Sequence, residues 1–458
     1  MSIATVNPTT GVTEKTFEPH TADEVEATLE RARLANAVMR RTSFAERAAW
    51  MTAAANILDS ELDHAAALAS TEMGKTLATA AYEVAKSARG MRHYAEHAEQ
   101  YLADERPVAA AEVGASDAHI TFQPIGTVLA VMPWNYPFWQ VIRFAAPALM
   151  AGNTGLLKHA SNVPQTALYL GELFERAGFP AGAFQTLLIE GAAASALIDD
   201  RRIAAVTLTG SVGAGSAVAE AAGRNIKKSV LELGGTDVFV VLPSADVSRA
   251  AAMGALSRTQ NSGQSCICAK RFYVHDDVYD EFAALFVQHM AAAVAGDPFD
   301  ESSSFGPLAT RQGQTDAHAF VVDAREKGAT VLTGGELPDG DGFFYPATVL
   351  TGVTPDMAIY YEECFGPVAC LYRVSSLDEA VELSNDSHFG LAASVWTNDS
   401  AEAETLSERL EFGGVFVNGN TASFFQLPFG GVKDSGYGRE LSSFGIREFV
   451  NVKTVWTA

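Results

Sequence analysis

Two of the chain's four cysteines, Cys266 and Cys268, stand one residue apart in the stretch NSGQSCICAK, residues 261–270. Three chemistries fit such a pair: a metal site, a redox couple, or one nucleophile with a neighbour. A zinc site needs three or four ligands, and C-x-C supplies two at unhelpful spacing. The other cysteines, Cys364 and Cys370, have no histidine at ligand spacing, so no metal is expected. A cysteine in a loop of small residues is accessible to a substrate carbon and can be activated. It would need a base and an oxyanion donor. VLELGG offers the carboxylate of Glu232 at a strand end, and MPWNYP offers the amide of Asn135 beside a proline-flanked turn. A side-chain amide there could donate to a developing oxyanion. TLTGSVGAGSAVAEAAG reads as a strand, a Gly/Ser turn and a helix whose N-terminal amides could face a phosphate. Its glycines, Gly210, Gly213 and Gly215, do not follow G-x-G-x-x-G, and alone they are a weak dinucleotide signal.

The elements that must position these residues follow from pattern. The first hundred residues read as helices. Thr21 with Glu24, and Ser43 with Glu46, are capping-box starts ahead of apolar residues at helical spacing. From about residue 119, short β-rich runs (GTVLAVMPW, TGLLKHA, FQTLLI, AAVTLTG, VFVVLP) alternate with helical segments. That is the texture of a parallel sheet with crossover helices. A second α/β section follows, with KRFYVHD, a helix near 276–295, ATVLTGG, FFYPATVL and a capping-box start at Ser376 with Glu379. The chain closes on GGVFVNGN and a terminal strand in REFVNVKTVW. The expected class is α/β: two α/β units with a small β appendage.

Composition narrows the partners. At 458 residues more than one core is expected. The net charge of −23 and pI near 4.8 oppose binding to nucleic acid or an anionic membrane. Any anionic ligand must find a local positive site built against that field. No basic-then-apolar leader and no span of 18 apolar residues is present, and four cysteines are no disulfide framework. A cytoplasmic location is expected.

Taken together, PWNYP, LLKHASNVP, TGSVGAG, LELGG, NSGQSC, EECFGPV and PFGGVKDSGYGRE occur in one order along the chain. In that order they resemble the aldehyde dehydrogenase superfamily from end to end. The 34 positions from Glu232 to Cys266 and the 97 from Cys266 to Glu363 fit the family's spacing. The resemblance implies a Rossmann-like dinucleotide-binding domain (1–104 and 124–231) and a catalytic domain (232–434). It implies also an oligomerisation hairpin with the C-terminal strand (105–123 and 435–458), giving a homodimer or homotetramer. It makes Cys266 the thiolate that attacks an aldehyde, Asn135 and the Cys266 amide the oxyanion donors, and Glu232 the base that activates water against the thioester. Splitting one oxidation into thiohemiacetal and thioester steps makes each easier.

The same resemblance assigns a cofactor site. Lys158 would contact the adenosine ribose, Gly210 and Ser211 the pyrophosphate, and Glu363 and Phe365 the nicotinamide ribose, with Trp134 and Leu233 alongside. Ser161 stands where NAD-preferring relatives often carry a glutamate. A serine hydroxyl can donate to a 2′-phosphate that a carboxylate would repel. NADP is therefore expected over NAD. His159 is given no chemistry. For the substrate, Arg143 matches the arginine that succinate-semialdehyde dehydrogenases turn on a distal carboxylate, with Ser423 assisting and Trp139 lining the pocket. The competing role for Arg143 is pairing with a carboxylate of its own helix face. A second arginine that many of those enzymes carry six residues before the cysteine is here Gln260. Glutarate semialdehyde, other aliphatic aldehydes and a catalytically silent relative stand as the alternatives. Cys268 resembles the partner in a redox lock across C-x-C; an i,i+2 disulfide must strain the loop and should be easily reduced.

Overall fold

The computed structural model describes residues 2–458. The α/β expectation holds, with one addition at the start. Before the first helix, Ile3–Val6 and Thr13–Phe17 form an antiparallel hairpin. TEKTF is almost wholly exposed and lacks apolar alternation, so nothing in its pattern announces a strand. Four helices follow: Ala22–Met39, Phe44–Ser60, Leu62–Met73 and Leu77–Tyr101. The first two open with the expected reciprocal capping boxes at Thr21 and Ser43. At Ser376 the cap differs. Its side chain accepts from the Glu379 amide, but the Glu379 carboxylate reaches back to Ser375 instead.

Two sheets carry the chemistry. The first runs in the order Gly436–Tyr437, Lys228–Glu232, Ile203–Thr209, Thr127–Met132, Thr154–His159, Phe184–Thr186, parallel except for the short outer strand. Alternate residues feed opposite cores. Val128 and Ala130 join the helices' Met51, Met91 and Leu149, while Leu129 meets Leu156, Val206 and Leu231. Burial on both faces explains why these strands read as continuous apolar runs. The chain goes from 127–132 outward through 154–159 to 184–186. It then returns to the other side of 127–132 with 203–209, so strand order reverses there. Ligands of open α/β sheets sit beyond the carboxyl ends of the strands at such a reversal.

The second sheet runs Thr330–Thr333, Thr348–Thr351, Val368–Val374, Arg271–His275, Val238–Val241, Ala392–Trp396, Gly414–Val417, with only the first strand antiparallel. Phe239, Phe272 and Trp396 pack one face; Val240, Tyr273 and Val395 pack the other. The segment 233–237 links the carboxyl end of one sheet to the amino end of the other. Asp117–Pro124 and Val450–Thr457 pair separately as an antiparallel ribbon, with Val452 and Trp456 exposed on it.

Candidate active site

The site lies where the carboxyl edge of the first sheet meets the amino edge of the second. Register brings Met132 level with His159, and Thr209 level with Glu232. Trp134 and Asn135, then Ser161, then Gly210 and Ser211, then Leu233 therefore all emerge from one edge. The Cys266 loop enters the 271–275 strand of the opposite sheet, and the Glu363–Phe365 loop enters its neighbour at Val368.

The Cys266 loop begins with three successive residues in the left-handed region: Asn261 (φ 52°), Ser262 (φ 58°) and Gly263 (φ 72°). Two non-glycine residues there are strained and persist only where contacts fix them. The fully buried Arg258 supplies that fixation. It donates to the carbonyls of Gly263 (2.8 Å), Ala269 (3.1 Å) and Gly366, binding the loop before Cys266 to the loop carrying Glu363 and Phe365. Lys270 repeats the clamp nearer the thiol. Its Nζ donates to the carbonyls of Cys266 (2.7 Å) and Ser265 (3.1 Å) and pairs with Glu363 at 3.0 Å.

Asn135 reaches the same loop. Its Nδ2 donates to the Gln264 carbonyl at 3.2 Å, and its own carbonyl accepts from Asn261 Nδ2 at 2.8 Å. The Cys266 amide makes no hydrogen bond among the described residues, which leaves it available to an oxyanion. Cys266 faces the cavity and is half-buried. Desolvation pushes its thiol up to about 12, with Arg143 and Lys270 pulling weakly the other way. The resting thiol is therefore protonated at neutral pH and must lose its proton to react.

Glu232 is buried, and among the described residues neither carboxylate oxygen has a hydrogen-bond partner. Burial first, then Glu440, raises its pKa well above the usual range, against Arg143 and Arg439. A side-chain carbon on Gly430 would lie 2.7 Å from Glu232 Oε1, so glycine there leaves the carboxyl its room.

A cavity of about 660 Å³ opens on Cys266, and Trp139, Arg143 and Ser423 line it too. Three of the expected substrate residues thus share one space with Cys266. Arg143, however, is already paired. Its partner is Glu440, far along the chain rather than on its own helix, and both side chains are buried. The guanidinium also stacks on Phe429, 4.7 Å from the ring centroid. Gln260 lines the cavity as a neutral group whose Nε2 donates to the Tyr136 hydroxyl at 3.0 Å.

Lys158, Ser161 and Ser211 lie outside that cavity, at the sheet edge. Lys158 is half-buried and forms no ion pair among the described residues; desolvation lowers its pKa. Ser211 caps the helix Val212–Arg224. A side-chain carbon on Gly213 would meet nothing within 4 Å, whereas one on Gly215 would strike Leu233 at 2.6 Å. Gly215 is thus required by packing on Leu233. Gly213 is not required by the protein's own atoms, and it leaves the helix N-terminus open. Trp134 meets Phe365 edge-on at 5.7 Å, and Glu363 with Phe365 borders a second cavity. His159 is buried. Its Nε2 donates to the Pro137 carbonyl (2.9 Å), its Nδ1 accepts from the Ala160 amide (2.9 Å), and burial lowers its pKa to about 4. It is a neutral brace for the turn that carries Asn135.

All four cysteines are free thiols. Cys268 is buried and its Sγ donates to the Ser265 carbonyl at 2.9 Å. Among the described residues no group of three or more His, Cys, Asp or Glu is placed to hold a metal ion.

Sequence reasoning did not single out Lys86, Arg258, Lys270 or Glu440. Lys270 and Glu440 end motifs that were in view, but what each touches is set by distant segments.

The sequence profile described as "Aldehyde dehydrogenase family" matches residues 1–455. An aldehyde dehydrogenase of Paenarthrobacter nicotinovorans is 69% identical, with all of both chains covered. The succinate-semialdehyde dehydrogenase [NADP(+)] 1 of Mycobacterium tuberculosis is 56% identical, again over all of both chains. The crystal structure of succinic semialdehyde dehydrogenase from Streptococcus pyogenes in complex with NADP+ superposes with a TM-score of 0.96, at 38% identity over 99% of each chain.

Proposed function

This chain belongs to the aldehyde dehydrogenase family of oxidoreductases, and from that premise we propose that it oxidises succinate semialdehyde to succinate with NADP. The observation that carries the reading is the cavity at Cys266, whose wall holds arginine, lysine and serine side chains in a chain of net charge −23. A short aldehyde with a distal carboxylate fits both ends of such a space. The relatives named above support the substrate and the cofactor.

The chain's own residues divide the work as follows. Cys266 gives up its proton to solvent water and its sulfur adds to the aldehyde carbon, forming a thiohemiacetal. Asn135 Nδ2 and the Cys266 amide hold the oxygen as negative charge develops on it. NADP, held by Lys158, Ser161, Gly210 and Ser211, would supply the two-electron oxidation that turns the thiohemiacetal into a thioester on Cys266. Glu232, whose pKa burial and Glu440 raise so that it holds a proton more readily than a free carboxylate, takes a proton from water as the water attacks. The C–S bond breaks, the acid leaves and the thiol is restored. The residues present fit the dinucleotide: an open helix N-terminus at Ser211, a lysine at 158 without an ion-pair partner among the described residues, and a serine at 161. We assign 1–104 and 124–231 to cofactor binding and 232–434 to catalysis. We assign 105–123 and 435–458, which hold most of the Asp117–Pro124 and Val450–Thr457 ribbon, to oligomerisation.

Initial rates on succinate semialdehyde and on butanal, each with NADP and with NAD, test the reading. The expected result is a strong preference for the charged aldehyde and for NADP. Equal kcat/KM for the two aldehydes would overturn the substrate assignment and leave the Cys266 chemistry standing.

A further inference from the structure

We propose that Lys86, with Ser423, is the cationic anchor for the substrate's distal carboxylate, supplying the second positive group whose usual position is filled here by Gln260. The proposal rests on the substrate reading above. Lys86 lies on the helix Leu77–Tyr101 and lines the cavity that opens on Cys266. Its Nζ sits 4.4 Å from the Trp139 ring centroid and donates to Ser423 Oγ at 2.8 Å.

Three features mark it as a ligand group rather than a structural one. The first is charge. Of the other cations lining the cavity, Lys75 is paired with Glu83 and Arg143 with Glu440. Lys86 has no ion-pair partner among the described residues, so it is the uncompensated charge of the space.

The second is hydrogen-bond polarity. Ser423 Oγ accepts from both Lys86 Nζ (2.8 Å) and Trp139 Nε1 (3.0 Å). A hydroxyl has two lone pairs and one proton. With both lone pairs occupied, Ser423 can offer only its proton. Lys86 and Ser423 together therefore present donors and no acceptor. An ionised carboxylate is acceptor-only and matches such a pair.

The third is location. Trp139, Arg143, Ser423 and Lys86 line the same cavity as Cys266, so a group held by Lys86 belongs to a molecule that can reach the thiol. Burial and then the nearby Arg143 lower the ammonium's pKa to about 8. An anion lying between these two cations would relieve both effects.

The test compares wild type, Lys86→Met and Lys86→Arg at saturating NADP, on succinate semialdehyde and on butanal. Methionine keeps the stem's packing and removes the charge. The expected result is a loss of about tenfold to a hundredfold in kcat/KM for succinate semialdehyde, carried by KM. Butanal should stay within about twofold, and arginine should restore part of the loss. Should the methionine variant fail to fold, Lys86→Gln, which keeps a donor towards Ser423, reads the same ratio. Equal losses on both aldehydes would make Lys86 structural. An unchanged KM for succinate semialdehyde would put the carboxylate elsewhere. Failure of the substrate reading shows in wild type alone, as no preference for the charged aldehyde. Failure of the Lys86 assignment shows as a wild-type preference that the variants keep.

Discussion

On one side of the Cys266 loop the protein has answered nearly all its own charges. Lys75 is matched by Glu83, Arg143 by Glu440 and Lys270 by Glu363. Arg258 spends its guanidinium on backbone carbonyls. On the other side, along the carboxyl edge of the first sheet, Lys158 has no ion pair among the described residues and the space around Gly213 is open. The proposed reaction centre is held by the chain's own pairings, whereas the proposed cofactor edge is left for a ligand to complete. Substitutions at the centre should therefore damage chemistry or folding whatever the aldehyde. Substitutions at the edge should change which ligand is taken and leave the thiol chemistry intact.

The largest expected effect is at the centre. Cys266→Ala removes the sulfur on which both proposed intermediates form, and turnover should fall on the order of 10⁴-fold or more. Glu232→Gln separates the two halves of the cycle. Steady turnover should fall about 10²- to 10⁴-fold, because water loses its base, while the first turnover still releases a burst of NADPH. Rapid-mixing absorbance reads both. A burst lost in proportion to the steady rate would remove Glu232 from the hydrolytic step alone.

Arg143 comes next, and it belongs to the centre although it lines the cavity. Its removal leaves Glu440 buried without a partner close to Glu232, and it withdraws a charge that lowers the pKa of both carboxyls. Breaking a buried pair costs about 3–5 kcal/mol. Arg143→Ala should therefore lower the denaturation midpoint and reduce kcat on butanal as well as on succinate semialdehyde. Arg143→Met with Glu440→Gln should recover most of the stability. A single variant that is fully stable and raises KM only for the charged aldehyde would return Arg143 to the substrate side of the comparison.

These partnerships explain how unevenly the site could be read from sequence. Cys266, Asn135 and Glu232, the residues proposed for the chemistry, stand in short motifs close to strand ends, where local pattern alone brings them into view. The proposed cofactor edge came into view for the same reason, since Gly210, Ser211 and the helix after them are contiguous. Lys86 reads as an ordinary helix lysine until the fold brings it to Ser423, 337 positions away. Glu440 and Arg258 are silent in the same way, because their meaning is the segment they touch. Parallel strands announced themselves by apolar runs, but the opening hairpin, with the exposed TEKTF, offered no periodicity.

At the edge, Ser161→Glu should exchange cofactors. A carboxylate there repels a 2′-phosphate and can accept from ribose hydroxyls. NADP should lose about tenfold to a hundredfold in kcat/KM while NAD gains or holds. Unchanged preference would move the 2′-phosphate away from residue 161.

A pH profile sharpens the comparison with no substitution. The Lys86 ammonium, lowered to about 8 by burial and by Arg143, is also influenced by Glu83 (upward) and Arg89 (downward) on its own helix. As pH rises through that value in the free enzyme, the charged form is lost. KM for succinate semialdehyde should then climb by up to about tenfold per pH unit above 8, with KM for butanal flat. Parallel curves for the two aldehydes would trace the rise to a group other than Lys86.

The smallest effect on turnover is expected at Cys268, which lies at the centre yet contributes no step. Its Sγ donates only to loop carbonyls, at 2.9 Å to Ser265 and 3.4 Å to Gly263. Cys268→Ala should stay within about twofold of wild-type kcat, since a thiol is a weak donor. Its effect should show under peroxide. In wild type, oxidised Cys266 can be captured by Cys268 as a disulfide that a thiol reductant reopens. In the variant, oxidation should proceed to the sulfinic acid and activity should not return. Equal recovery after peroxide in both proteins would reduce Cys268 to a buried side chain filling the turn.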